Sequence, residues 1–242
     1  MLRTIAFYSK FATSLLTTMP LTKRTTKKVK EFDDNRQLLE RYHHIHEVST
    51  NWAKPFLKLS KTNVKVYGEE NLPKDGAVLF VSNHQSNIDI PLLMCFIDKP
   101  KGFIAKIEIK KVPMIRTWME WMGCVFMDRS SLKKSAAAII EGVKILKSGQ
   151  SLVIFPEGTR SKGGPMTEFK AGSFKLATKA KVPIVPITIN GSYKVMEGNK
   201  YLIKPATVEL YIHKPIFTDN ITKEEELELP KKVQKIVASK LN

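Results

Sequence analysis

Residues 77–91 read AVLFVSNHQSNIDIP, an apolar run that breaks at once into Asn83, His84, Ser86 and Asp89 before Pro91 opens a second apolar stretch. A short run with no polar alternation, followed by a polar turn and then a helical pattern, is how a strand buried on both faces passes into a helix of an α/β sheet. The fold class turns on this junction. A turn needs only residues that tolerate bent backbone, so a histidine five positions ahead of an aspartate asks for a chemical reason.

Outward from that junction the same alternation continues. Apolar or β-branched runs at about 64–67, 77–82, 103–105, 124–127, 151–155, 184–189 and 207–212 predict strands. Helical patterns fall near 89–97, 112–122, 131–148, 169–180 and 222–240. Together they predict an α/β domain over residues 61–242: a mostly parallel central sheet of about seven strands flanked by helices. There is no internal repeat and no low-complexity tract.

Residues 1–60 read as an N-terminal helical attachment. Leu2, Ile5, Phe7, Phe11, Leu15 and Leu16 precede 23-KRTTKKVK-30, which carries five basic residues in eight. An apolar face beside a basic cluster suits an anchor on an anionic membrane surface, and a frayed, solvated terminus fits the same residues. The longest uncharged run there, Phe11 to Thr22, is 12 residues and too short for a span. A second helical pattern runs from about Asn35 to Leu59, where Pro55 is expected to kink it or end its first part. His43, His44 and His46 lie within this helix, but neighbouring helical positions point apart and no carboxylate or thiolate partner has ligand spacing, so they read as structural or surface residues.

Across 242 residues, 40 basic and 23 acidic side chains leave a formal charge of +17, which points to an anionic partner: nucleic acid, membrane or phosphorylated substrate. Cys95 and Cys124 have no CxxC spacing, and neither a zinc site nor a disulfide framework is suggested.

Two polar clusters stand where reactive groups of an α/β sheet collect, just beyond the carboxyl ends of strands. In the first, a bent turn lets Asp89, in the first turn of the following helix, curl back to one nitrogen of His84 while the other faces the cleft. That arrangement makes a general base with its orienter. Helix capping by Asp89 or Ser86 beside an ordinary loop histidine accounts for the same spacing. The second cluster, 155-FPEGTRS-161, offers a carboxylate, two hydroxyls, a close backbone approach at Gly158 and the guanidinium of Arg160, which can hold a phosphate in a fork. A plain surface turn also favours Gly, Thr and Ser.

No GxxxxGK[ST], GxSxG, GxGxxG or HExxH pattern occurs, which removes sequence support for a nucleotide hydrolase, an elbow-type serine hydrolase, a dinucleotide enzyme and a zincin. Without a nucleophile elbow, His84 is expected to activate a substrate hydroxyl for direct transfer.

At these residues the chain resembles the glycerolipid acyltransferase family, in particular its 1-acyl-sn-glycerol-3-phosphate (lysophosphatidate) acyltransferases. Asn83, His84, Ser86 and Asp89 match that family's Asn-His-x-Ser-x-x-Asp motif, and Phe155 to Ser161 match its Phe-Pro-Glu-Gly-Thr-Arg-Ser motif. Also similar are 123-GCVFMDR-129, 182-VPIVPI-187, the lead-in 66-VYGEENLP-73 and the continuation 168-EFKAGSFKLA-177. Arg116 departs from the pattern, since relatives often place glycine there.

The resemblance implies His84 as base and Asp89 as its partner, with Glu157, Gly158, Thr159 and Arg160 in the acceptor site and Lys106 and Arg129 helping to neutralise a phosphate. It implies transfer of an acyl group from an acyl-carrier-protein or CoA thioester to the sn-2 hydroxyl of lysophosphatidate, with no cofactor and no metal, on the cytoplasmic face of the cell membrane. Loop N–H groups near Gly158 are candidates for the oxyanion. Alternatives are a same-family enzyme acting on glycerol 3-phosphate or another lysolipid, and a membrane-remodelling binder without catalysis. A nucleic-acid-binding module rests on charge alone, with no basic-aromatic or helix-turn-helix motif beside it.

Overall fold

The computed structural model describes residues 1–241, the side chains of Leu15 and Leu16 excepted. Seven strands form one sheet: β1 (Asn63–Tyr67), β2 (Leu79–Ser82), β3 (Lys101–Lys106), β4 (Val125–Met127), β5 (Ser151–Ile154), β6 (Ile184–Asn190) and β7 (Thr207–Ile212). Their order is β1-β7-β6-β2-β5-β3-β4. All pairings are parallel except β6 with β7, so β7 and its edge partner β1 run against the other five. The two strands that precede the polar clusters, β2 and β5, are direct neighbours, with Phe80 opposite Val153. Both clusters therefore leave the sheet at the same edge.

Each central strand is buried on both faces, and the side-chain alternation separates two cores. Phe80, Val153, Val185 and Ile187 pack with the helices α3 (Leu38–Ser60) and α4 (Asp89–Phe96), and Trp118 of α5 (Pro113–Trp121) joins them. Leu79, Val81, Leu152, Ile154 and Ile184 pack on the opposite side with α6 (Leu132–Lys147), α7 (Lys175–Ala180) and α8 (Lys223–Ala238). The Thr222–Glu225 capping box starts α8.

The amino-terminal residues are not frayed. Helices α1 (Leu2–Thr17) and α2 (Met19–Asp34) bury Phe7 and Val29 in the core that α3 shares with the sheet. Phe7 and Phe11 meet Phe56 edge to face at 5.7 and 6.1 Å, geometries aromatic rings favour. Polar bonds lock the same helices in place. The Tyr8 hydroxyl donates to the Tyr201 carbonyl, the Ile203 N–H donates to Thr4 Oγ1, and the Trp118 indole donates to Thr22 Oγ1. Leu2, Ile5, Met19 and Leu21 remain exposed on α1 and α2, alongside Tyr201 and Leu202 on the loop that α1 grips. Among the described residues no helix is long and apolar enough to cross a membrane.

Two local expectations are corrected. Helix α3 does not end at Pro55; burial of Ala53, Phe56 and Leu57 holds the turns on either side against the sheet and offsets the one lost backbone bond. The helix expected over 169–180 is α-helical only from Lys175. Its first residues are drawn off by other partners, since the Phe169 N–H donates to Gln234 and the Lys170 N–H to the Pro156 carbonyl. Arg116, the departure noted above, sits on α5 within 3.8 Å of Glu120, one helical turn on.

Lys101 begins β3 with its ammonium buried, donating to the carbonyls of Ile97 and Lys99 at 2.8 Å each. Burial pushes its pKa down to about 7, with Asp98 opposing. Between that value and its ordinary 10.5 the unfolded chain holds a proton that the folded protein has released, so stability must rise with pH in this window. Below it both states are protonated and the full burial cost is felt. Lys101→Met removes the effect. Urea unfolding of the two proteins should show the wild type gaining on the variant from pH 7 to 9, by no more than about 1.4 kcal/mol per pH unit; a difference that stays flat refutes the assignment.

Candidate active site

The first polar loop is organised by the carboxylate at its far end. Asp89 is fully buried and opens α4, where the helix N-terminus favours an anion. Its Oδ2 accepts from the backbone N–H of Gln85 at 2.7 Å and of Ser86 at 2.9 Å, which forces the loop to curl around it. The same oxygen lies 2.7 Å from His84 Nδ1. A neutral imidazole in this contact carries its proton on Nδ1, and Nε2 is left with the lone pair. The ring is stacked on Phe155 at 4.0 Å between centroids and is partly open to solvent. Such a nitrogen can take a proton from a hydroxyl, and the neighbouring carboxylate then stabilises the imidazolium.

Asn83 and Gln85, which flank the histidine, fasten the loop from behind. The Asn83 amide donates to the Ile189 carbonyl at 2.9 Å and accepts the Ile189 N–H at 2.8 Å, extending the β2–β6 ladder with a side chain. Gln85 Oε1 accepts the Gly191 N–H.

The second loop is tied to the first at two points. Glu157, expected from the resemblance on the acceptor's side, has both carboxylate oxygens occupied by protein. Oε1 accepts the His84 N–H at 2.7 Å, and Oε2 accepts the N–H and hydroxyl of Thr167 at 3.0 and 3.3 Å. Only 4% exposed, it braces the loops; burial pushes its pKa up, against these bonds. The Ser161 N–H donates to the His84 carbonyl at 2.8 Å. The Gly158 N–H closes its own turn on the Phe155 carbonyl, so this donor is spent before any oxyanion could use it.

Cations gather around Gly158. Arg129 Nη1 donates to the Gly158 carbonyl at 2.7 Å. At φ +75° the glycine sits in the left-handed region, and a Cβ there would stand 2.5 Å from Arg129 Nη1 and 3.0 Å from Lys170 Nζ. The turn that presents Arg129 is held by Asp128, whose carboxyl is pulled down to about 2 by its hydrogen bonds to Lys134 and Ser130. Thr159 is exposed at the tip of the second loop. Arg160 reaches back toward the first loop and donates to Glu197 at 3.0 Å. Lys106 ends β3 at the same sheet edge, exposed and without a bond to Arg129 or Arg160.

Sequence reasoning had no role for Lys170 or Glu197. Lys170 is one of 40 basic residues. Glu197 lies in an irregular stretch with no periodicity, and nothing in the primary structure announces its burial.

Removing the Asn83 amide tests how far the loop depends on its rear fastening. Asn83→Ala leaves the buried N–H and C=O of Ile189 without those partners and should cost about 2–4 kcal/mol in urea unfolding. An unchanged midpoint would mean that β6 holds the loop without it.

The family model described as Acyltransferase matches residues 63–190, from the first residue of β1 to the last of β6. A probable 1-acyl-sn-glycerol-3-phosphate acyltransferase of Mycoplasma pneumoniae is 42% identical over 154 residues, covering 62% of this chain and 57% of that protein. The chloroplastic 1-acyl-sn-glycerol-3-phosphate acyltransferase of Arabidopsis thaliana is 37% identical over 191 residues, 76% of this chain and 51% of its own. The chain thus spans little more than half the length of these relatives. A crystal structure of the 1-acyl-sn-glycerophosphate acyltransferase PlsC from Thermotoga maritima superposes with a TM-score of 0.75 at 28% identity, covering 98% of this chain and 92% of that one. With more than half its length matched by the family model, and with the paired histidine and aspartate standing beside a cationic turn, the chain belongs to the acyltransferase family.

Proposed function

We propose that the protein transfers a fatty acyl group from a thioester to the sn-2 hydroxyl of 1-acyl-glycerol 3-phosphate, forming phosphatidate for phospholipid synthesis. The observation that carries this reading is the 2.7 Å contact of His84 Nδ1 with Asp89 beside a loop bearing Arg160 and the Arg129–Gly158–Lys170 cluster. A base and an anion grip on one sheet edge suit an acceptor that holds both a hydroxyl and a phosphate.

His84 Nε2 takes the proton of the hydroxyl as its oxygen attacks the thioester carbonyl. The tetrahedral intermediate expels the thiolate, and the imidazolium returns its proton to the sulfur. Acid, base and nucleophile are then all accounted for, and a thioester is activated enough that no cofactor or metal is required. Arg160, Arg129 and Lys170, with Lys106 at the same edge, neutralise the acceptor phosphate. The donor is an acyl-carrier-protein or CoA thioester, and the basic surface favours either, since both are anionic.

The exposed apolar residues of α1 and α2, next to the basic run 23–30, form the membrane-facing side of the protein. It works as a peripheral protein on the cytoplasmic face of the cell membrane, where the lysolipid resides.

In vesicles or detergent, the intact protein should form phosphatidate from lysophosphatidate, and His84→Ala should abolish it; equal rates would remove His84 as the base. Glycerol 3-phosphate, run in parallel, distinguishes the acceptor: exclusive acylation of it would leave the chemistry and change the substrate. Deleting residues 1–34 should release the protein from anionic vesicles, and undiminished binding would place the membrane contact elsewhere.

A further inference from the structure

Glu197 lies outside the region matched by the family model and outside every motif quoted above, yet its carboxylate accepts three hydrogen bonds, as many as Glu157, and draws them from both loops. Its side chain is fully buried. Oε1 accepts from the Asn87 N–H at 2.9 Å and from Arg160 Nη1 at 3.0 Å, and Oε2 accepts from the Ser86 hydroxyl. The Ser86 oxygen in turn accepts the Ile88 N–H, one residue before Asp89. One anion thus touches the loop that carries the base and the side chain that faces the phosphate. A buried carboxylate is stable only when its lone pairs are filled, and here those three donors fill them.

We infer that Glu197 is a positioning residue: it fixes the guanidinium of Arg160 against the His84 loop and so sets the distance between the phosphate grip and the base. The inference rests on the acyl-transfer reading above. Its physical reason lies in the acceptor, whose phosphate and reacting hydroxyl share one short glycerol unit. Where the phosphate is gripped decides how far the hydroxyl stands from Nε2, and small errors in that distance cost rate. Glu157 and Ser161 fix the backbone of the second loop, but among the described residues only Glu197 holds the Arg160 side chain. A free arginine of 29% exposure samples many rotamers; one bonded to a buried anion keeps a few, with its remaining N–H groups available to a ligand.

The sign of the effect discriminates. A carboxylate near a phosphate repels it, so if electrostatics alone mattered, Glu197→Gln would improve acceptor binding. Positioning predicts the reverse. Glu197→Gln keeps the shape and one accepting oxygen but loses the charge-assisted bond, and the acceptor KM should rise about tenfold while the thioester KM stays within about twofold. Glu197→Asp, which keeps the charge on a shorter arm, should recover part of the loss. In an Arg160→Ala background the Gln substitution should add almost nothing, because the group it acts through is gone.

The measurement is steady-state transfer from a long-chain acyl-CoA to 1-acyl-glycerol 3-phosphate in vesicles, with each substrate varied in turn for the wild type, the three single variants and the Arg160→Ala/Glu197→Gln double variant. A selective, non-additive rise in acceptor KM supports the assignment. An acceptor KM that falls or does not move overturns it, as do equal losses for both substrates or effects that multiply in the double variant. Absence of product from the wild-type protein with both acyl-CoA and acyl-carrier-protein donors overturns the transfer reading itself, and this assignment with it.

Discussion

The N–H of His84, 2.7 Å from the buried carboxylate of Glu157, joins the two loops on which the site is built. Strands β2 and β5 place the loops side by side, but a strand pair defines only where the chain leaves the sheet. Beyond Ser82 and Ile154 the backbone would be free to diverge, since three paired residues end the ladder. Glu157 prevents that by accepting from one loop with one oxygen and from Thr167 with the other. Burial raises the free energy of its anion, and the three donors offset that cost. A residue of the second motif thereby sets the backbone of the first.

With the backbone held, the side chains divide the work by charge. Asp89 pairs with the histidine and the cations stand apart around Gly158, so that the negative and positive charges of the site are kept separate. Phe155 completes the histidine's surroundings by stacking on the face of its ring at 4.0 Å. The phenylalanine belongs to the second motif and the histidine to the first, so this contact also depends on the Glu157 joint.

The central strands were legible because each is a short apolar run buried on both faces, β1 and β7 because apolar residues recur at alternate positions, and the two loops because their residue types exceed what turns require. Strand direction was not legible. Hydrophobic periodicity is identical for either polarity, and the reversal of β1 and β7 is a property of their partners. Pro55 does not end α3 because its local cost is real but smaller than the packing of Ala53, Phe56 and Leu57 around it. The segment 169–174 has a helical pattern and is pulled out of the helix by Gln234 and Pro156, both remote in sequence. Glu157 was found by the motif, but its bracing bonds to His84 and Thr167 were not legible, since a carboxylate in the sequence does not show which donors it faces. Lys170 lies in the quoted stretch 168–177 but nothing there gives it a role, and Glu197 has no local signature at all; only the folded chain brings both to the site.

Strand β1 sits at the edge of the sheet and is paired only with β7, Asn63 lying opposite Thr207. The other five strands all lie between them in sequence, so β1 has no partner until those five have been made. During synthesis α1, α2 and α3 emerge long before the strands that cover Val29, Ile45 and Phe56. Non-local pairings of this kind fold slowly and leave apolar surface uncovered while they wait. For a chain whose first helices keep a basic run beside apolar residues, that uncovered surface is a liability on the folding route: refolding without lipid or detergent should lose more protein to aggregates than the stability of the folded chain suggests.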